Sequence, residues 1–343
     1  MVSVAAASMV SAVQAGVVNL GSFSGEFVTV GDPGNTADTT TYGAVSQTFD
    51  IMKFEFTNQQ YVQFLNSVDP NGNQPNNIYA SNMGGPSFDL GGISFTGGAT
   101  AGSKYAVRQN MGNKPVNYVS WFDAARVANW LHNGATSTSS METGAYTLNN
   151  ATTGNAVALN AGARFFIPSE NQWYKAAYYK GGGTNAGYWS YGTQSSTLPT
   201  SVTANSSGDG SAGTGSSANS ANYNGVANWN STFLGNVTTV GTNGGPSAYG
   251  AFDMSGNVWE WNDLDSSSTS SRGIRGGSWG GAGSSGNQSS STRFSANGST
   301  EAIDVGFRVA SLSSDAAIPE PSMMVIGMVF GLGGLAAKRR LKK

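Results

Sequence analysis

The segment Asp253-Met-Ser-Gly-Asn-Val-Trp-Glu260 holds the residue types best suited to binding a cation. Two carboxylates flank Gly256, which lets the backbone turn tightly. A hard cation such as calcium takes several such oxygens together with main-chain carbonyls. A structural reading stands beside it: Asp253 caps a turn, and Glu260 pairs with an arginine such as Arg275. Nucleophilic chemistry is poorly served. The chain has no cysteine, which excludes thiol catalysis and thiolate ligands for zinc, copper or iron–sulfur centres. Its only histidine is His132, so one chain cannot build a site from two imidazoles. A Ser-His-Asp arrangement at Ser255 or Ser278 would need His132 itself, and neither serine lies in a nucleophile-elbow sequence. Asp263, Asp265 and Asp304 offer carboxylate pairs of the kind glycosidases use, a weak signal in a domain with many acids. Trp259, Trp261 and Trp279 are able to stack on sugar rings, although aromatic side chains of this size more often fill a core.

These residues need a scaffold, and the sequence outlines one. Alternating apolar residues predict strands over Phe27–Val30 and Val45–Phe56. Thr57 and Gln60 have capping-box spacing and open a short helix with Tyr61, Phe64 and Leu65 on one face. A second helix runs from Ser120 to about Leu131, with Ala124, Val127, Ala128 and Leu131 as its apolar stripe. His132 lies at its end, where a cation favours the helix dipole, and reads as structural. A third follows Pro168: Ser169 and Gln172 form another capping box, and Trp173, Ala176 and Ala177 face inward. Two stretches, roughly 193–220 and 280–300, are nearly pure Gly, Ser, Asn and Thr and read as flexible surface loops.

The 343 residues suit one large domain, and charged side chains make up only 10% of them. Gly occurs 48 times, which favours turns, yet 8 Trp, 13 Tyr and 16 Phe are enough to build an aromatic core. Five of the 17 basic residues fall in the last six positions, leaving no basic patch to suggest nucleic acid. Residues 1–15 are apolar and small and read as the late part of a signal peptide cut ahead of Gly16. At the other end, Ile318-Pro-Glu-Pro321 precedes an apolar stretch, Met323–Ala337, and a basic tail, Lys338–Lys343. That stretch would form a helix of roughly 22 Å, short for a bilayer core. The three parts together resemble a PEP-CTERM sorting signal. The resemblance implies recognition by a membrane exosortase and a transient membrane anchor through the C-terminus.

Six segments then occur in one order: Phe49–Asn58, Lys114–Ala124, Arg164–Trp173, Tyr249–Trp261, Arg275–Trp279 and Asp304–Arg308. The series runs from Glu55-Phe-Thr-Asn58 through Asp253–Trp261 and Gly276-Gly-Ser-Trp279 to Gly306-Phe-Arg308. It resembles the formylglycine-generating enzyme, or sulfatase-modifying factor, family. The resemblance implies an α+β, loop-rich variant of the C-type lectin fold in a single domain over residues 22–312. It also implies structural calcium at Asp253, Gly256, Val258 and Glu260, the middle two through main-chain oxygen, and a second calcium site at Asn222 and Tyr223 without a matching later acid. Family oxidases carry a copper-binding cysteine pair just after the Gly-Gly-Ser-Trp segment. By spacing those positions fall near Gly281 and Gly286, so no copper and no cysteine-dependent oxidase activity are expected. The expectation is an exported protein of the cell envelope or extracellular matrix. Its domain is a binding or structural module, with a polysaccharide or surface protein as its ligand. The alternative is an enzyme of unrecognised chemistry in the same cleft. Convergence of Arg275, Ser278, Trp279, Arg293 and Arg308 with acids on one deep pocket would favour the enzyme.

Overall fold

A computed structural model of the chain describes residues 16–85, 90–183, 186–263, 269–281 and 285–312. The terminal readings at residues 1–15 and 318–343, and Asp265, lie outside them. The strands are, in chain order, β1 (Gly16–Leu20), β2 (Phe23–Val30), β3 (Phe49–Met52), β4 (Ile93–Phe95), β5 (Tyr105–Val107), β6 (Phe165–Phe166), β7 (Thr200–Ser201) and β8 (Ser220–Ala221). They continue with β9 (Trp259–Asn262), β10 (Ser271–Arg275), β11 (Phe294–Asn297), β12 (Val305–Gly306) and β13 (Ala310–Leu312). The helices are α1 (Asn58–Val68), α2 (Trp121–His132) and α3 (Glu170–Tyr178).

The larger sheet has the order β1-β2-β3-β13-β6, antiparallel throughout. The last strand of the domain therefore inserts between early ones, with Ala310 opposite both Ile51 and Phe166. A second sheet has the order β11-β10-β9-β12, with β12 parallel to β9. The strand expected over Val45–Phe56 is shorter. Beyond Met52 the chain leaves the ladder, and Glu55 becomes fully buried.

Helices α1 and α3 begin where their capping boxes predict, and α2 begins at the expected Ser120, which the structure shows to form a box with Asp123. Thr57, Ser120 and Ser169 each accept from the backbone of the third residue on, and that residue's side chain accepts from the cap's own N–H. Tyr61, Phe64 and Leu65 are buried on α1, and Trp173, Ala176 and Ala177 on α3. Helix α2 is buried all round, from Trp121 to Leu131, so the expected stripe is only part of its covered surface. The loop that follows wraps it: Asn129 donates to the carbonyls of Met141 and Tyr146, and Arg126 to Glu142 and the carbonyl of Ala151. Aromatic contacts knit the core, among them Phe56 on Phe307, with centroids 4.9 Å apart.

The stretch 193–220 is more regular than a flexible loop. β7 and β8 pair within it, Thr193 donates to Asn219, and Asn205 accepts from the backbone of Ser207 and Asp209. Short Ser, Thr and Asn side chains supply the hydrogen bonds that a longer ladder would give. Trp259, Trp261 and Trp279 are 8%, 0% and 5% exposed, so the core reading of these three holds.

Candidate functional site

Residues from four distant parts of the chain meet behind β9. Arg308, two residues beyond β12, donates from Nε and Nη2 to the two oxygens of Glu260, both at 2.6 Å, and both side chains are fully buried. Trp173 of α3 donates to the same carboxylate at 2.8 Å. Glu260 thus pairs with Arg308, not with Arg275. Arg308 also reaches the carbonyls of Met52 and Phe252. Glu55 accepts from the side chain of Asn257 at 2.6 Å and from the Val258 N–H at 3.1 Å. Burial, and then the charges of Asp253 and Glu260 beside it, hold the Glu55 carboxyl well above the usual carboxylate range. Burial also raises Asp253, against the donors that bind it: Gly241 N–H at 2.5 Å and Asn243 at 2.9 Å.

Gly256 serves close approach. At φ 87° it lies so near Asn222 that a Cβ would sit 2.3 Å from the Asn222 carbonyl oxygen. Asn222 in turn accepts from the Asn257 N–H and donates to Asn236, Thr238 and Asn257. Asp253 and Asn257 both take positive φ, 58° and 63°, on either side of that glycine. Three acids, Glu55, Asp253 and Glu260, therefore surround the single cation Arg308, a charge balance that suits an added cation or proton. Protein donors already occupy the Asp253 and Glu260 oxygens. Among the described residues no group of three or more Asp, Glu, His or Cys side chains is arranged to hold a metal ion.

The polar residues that mattered most for an enzyme reading do not converge. Arg275 and Arg293 both bind Glu170, at 2.7 Å each, with their guanidinium groups over the Tyr42 ring. Arg308 belongs to Glu260. Ser278 donates to Asp304 at 2.7 Å. Asp263 accepts from Tyr146 at 3.2 Å and lies 4.0 Å from Arg272. His132 takes part in none of these pairings. Its Nδ1 accepts the Arg164 N–H, and burial together with the Arg164 charge lowers its pKa, so it is a neutral acceptor rather than the helix-end cation expected.

The loop after Trp279 is where oxidases of the resembled family place sulfur. Gly281 stands there at φ 82°, and among the described residues no atom beyond its chain neighbours lies within 4 Å of a would-be Cβ there or at Gly286. Beside it are Asp304 and Ser278, and the Asp304 charge also acts on Tyr118. Tyr118 is held at φ 56°, an outlier for a bulky residue, and is anchored by its N–H to the Ala302 carbonyl. Phe233 and Leu234, 89% and 77% exposed, lie on a loop whose Gly235 abuts the Trp279 ring. Sequence reading missed Glu55 and Arg308 as partners in the buried cluster, although both lay in its quoted motifs. It missed Phe233 and Leu234 because two apolar residues in a polar loop have no periodicity.

Among the described residues, an antiparallel and a mixed sheet, three short α-helices and long hydrogen-bonded loops define an α+β domain organised around a buried acid–arginine cluster. The chain belongs to the sulfatase-modifying factor enzyme 1-like domain family, whose description matches residues 4–312. Among solved structures it is similar to Treponema denticola variable protein 1, at 19% identity and a TM-score of 0.50, over 87% of this chain and 99% of that one. It also matches CarF, at 18% identity and a TM-score of 0.47, over 84% and 98% of the two chains. PvdO from Pseudomonas aeruginosa matches at 16% and 0.44, over 84% and 95%. At these identities the likeness concerns the fold alone. No curated protein matches the sequence.

Proposed function

We propose that this domain is a non-catalytic binding or structural module of its family, exported to the cell envelope or extracellular matrix. One observation carries the non-catalytic reading: Arg275 and Arg293 are closed onto Glu170, Arg308 onto Glu260, and Ser278 onto Asp304. Beside them the loop at Gly281 and Gly286 offers neither thiolate nor imidazole. The exposed Phe233 and Leu234 next to that loop support ligand binding there, since apolar side chains in a polar rim mark interaction surfaces. A C-type-lectin-related fold is part of the same reading. Export rests on the sequence of residues 1–15 and 318–343, which reads as a signal peptide and a PEP-CTERM signal handled by an exosortase. No helix of the described residues is long and apolar enough to cross a membrane.

Calcium at Asp253, Gly256, Val258 and Glu260 is a separate proposal. The excess of buried carboxylate over Arg308 supports it, and the donors already on Glu260 oppose it. The decisive experiment for the module is incubation of the purified domain with a cysteine-containing sulfatase peptide, copper and oxygen. The peptide mass stays unchanged. Conversion of the cysteine to formylglycine ends the non-catalytic reading.

A further inference from the structure

An open groove of about 620 Å³ lies where the start of α1 meets β2 and the loops around Asn113, Thr214 and Val240. That size falls within the range of ligand sites, roughly 300–1,000 Å³. Phe54 lines it, its ring backed by Phe252 with centroids 5.5 Å apart. Three amide side chains, Gln59, Gln63 and Asn113, line it as well. The amides of Gln59 and Asn113 make no hydrogen bond to other described residues. Gln63 lines the groove with an Oε1 atom that is buried without a donor, a standing cost to the fold that rotation of the amide toward a ligand hydroxyl would remove. Glu26, the acid of the groove, is already paired with Lys53 at 2.8 Å. The groove therefore presents one aromatic surface, several amides and the Thr214 hydroxyl, with its charge internally balanced.

We infer that this groove binds a neutral oligosaccharide. Sugar hydroxyls both donate and accept, as do carboxamides, and the apolar face of a pyranose suits an aromatic ring. An anionic ligand would find no unpaired cation here, and a purely apolar ligand would bury the amides unsatisfied. The inference rests on the binding-module reading, but places a ligand away from the loop at Gly281.

The test is calorimetric titration of the folded domain with neutral hexasaccharides of glucose and xylose, β-linked and α-linked, with polygalacturonate as the charged control. Binding of a neutral hexasaccharide is expected, weakened about three- to tenfold in Gln63→Leu and at least as much in Phe54→Ala. The melting temperature of Gln63→Leu should hold or rise, because the substitution removes an orphaned acceptor; a merely structural glutamine would lower it. Binding that survives both substitutions, binding of polygalacturonate alone, or no binding of any hexasaccharide at millimolar concentration overturns the inference. Turnover of a bound sugar would instead overturn the non-catalytic reading and leave the groove in place.

Discussion

The cluster behind β9 and the loop after Trp279 are neighbours in space and opposites in chemistry. In the first, Glu55, Glu260, Trp173 and Arg308 are buried, and each is tied to another by hydrogen bonds or charge. In the second, no described atom beyond its chain neighbours comes within 4 Å of a Cβ built at Gly281, and the Ser278–Asp304 pair stands at its edge. The scaffold and the chemistry of a family are therefore separable. Residues that hold distant segments together act as a set, because removing one strands the others. Gly281 and Gly286 hold no such partners, so the fold does not depend on side chains at those two positions.

Substitutions at the two places should separate them most clearly. Arg308→Met leaves Glu260 charged and buried with only Trp173 as a donor. The expected loss is about 3–5 kcal/mol of unfolding free energy, read by urea denaturation. Equal stability of this variant and the parent would erase the contrast. Calcium is the next lever. If a site at Asp253 and Glu260 is filled, adding a chelator removes up to about 2.7 kcal/mol at a hundredfold excess of ion over its dissociation constant, and the melting temperature falls. An unchanged melt leaves protons as the balancing charge of the cluster.

Acidity sharpens the comparison further. Burial raises Asp123 to about 6, and burial with the Asp123 charge raises Glu301 to about 7. A carboxyl raised in the folded state binds its proton more tightly there than when unfolded, so its contribution is largest at low pH and is lost as pH rises. The melting temperature should decline between about pH 4.3, the ordinary glutamate value, and pH 7. Glu301→Gln should flatten that decline; a melt that rises across the same window contradicts the sign. The smallest effect belongs to the loop: Ser278→Ala costs about 1 kcal/mol or less, one part-buried hydrogen bond, with no change in the null result for formylglycine formation.

The sequence exposed the helices and the family readily, because both depend on short-range signals. Thr57 and Ser169 announce their helices through a residue three positions on, and the apolar stripe from Ala124 to Leu131 marks the one between them. The pairing within the site was less legible. Glu260 has several arginines within the chain to choose from, and only the insertion of β13 beside β3 brings Arg308 to it. The regularity of 193–220 was hidden because its hydrogen bonds come from Ser, Thr and Asn side chains, not from a strand ladder with a period. The neutral state of His132 likewise depends on Arg164, a residue 32 positions away.

The positive φ of Gly281 limits what the loop can accept. A cysteine introduced at that position would have to adopt a left-handed backbone that costs a side-chain-bearing residue roughly 1–2 kcal/mol. A thiolate installed there would thus meet a conformational penalty before any metal arrived, and new uses of this loop should build on its backbone.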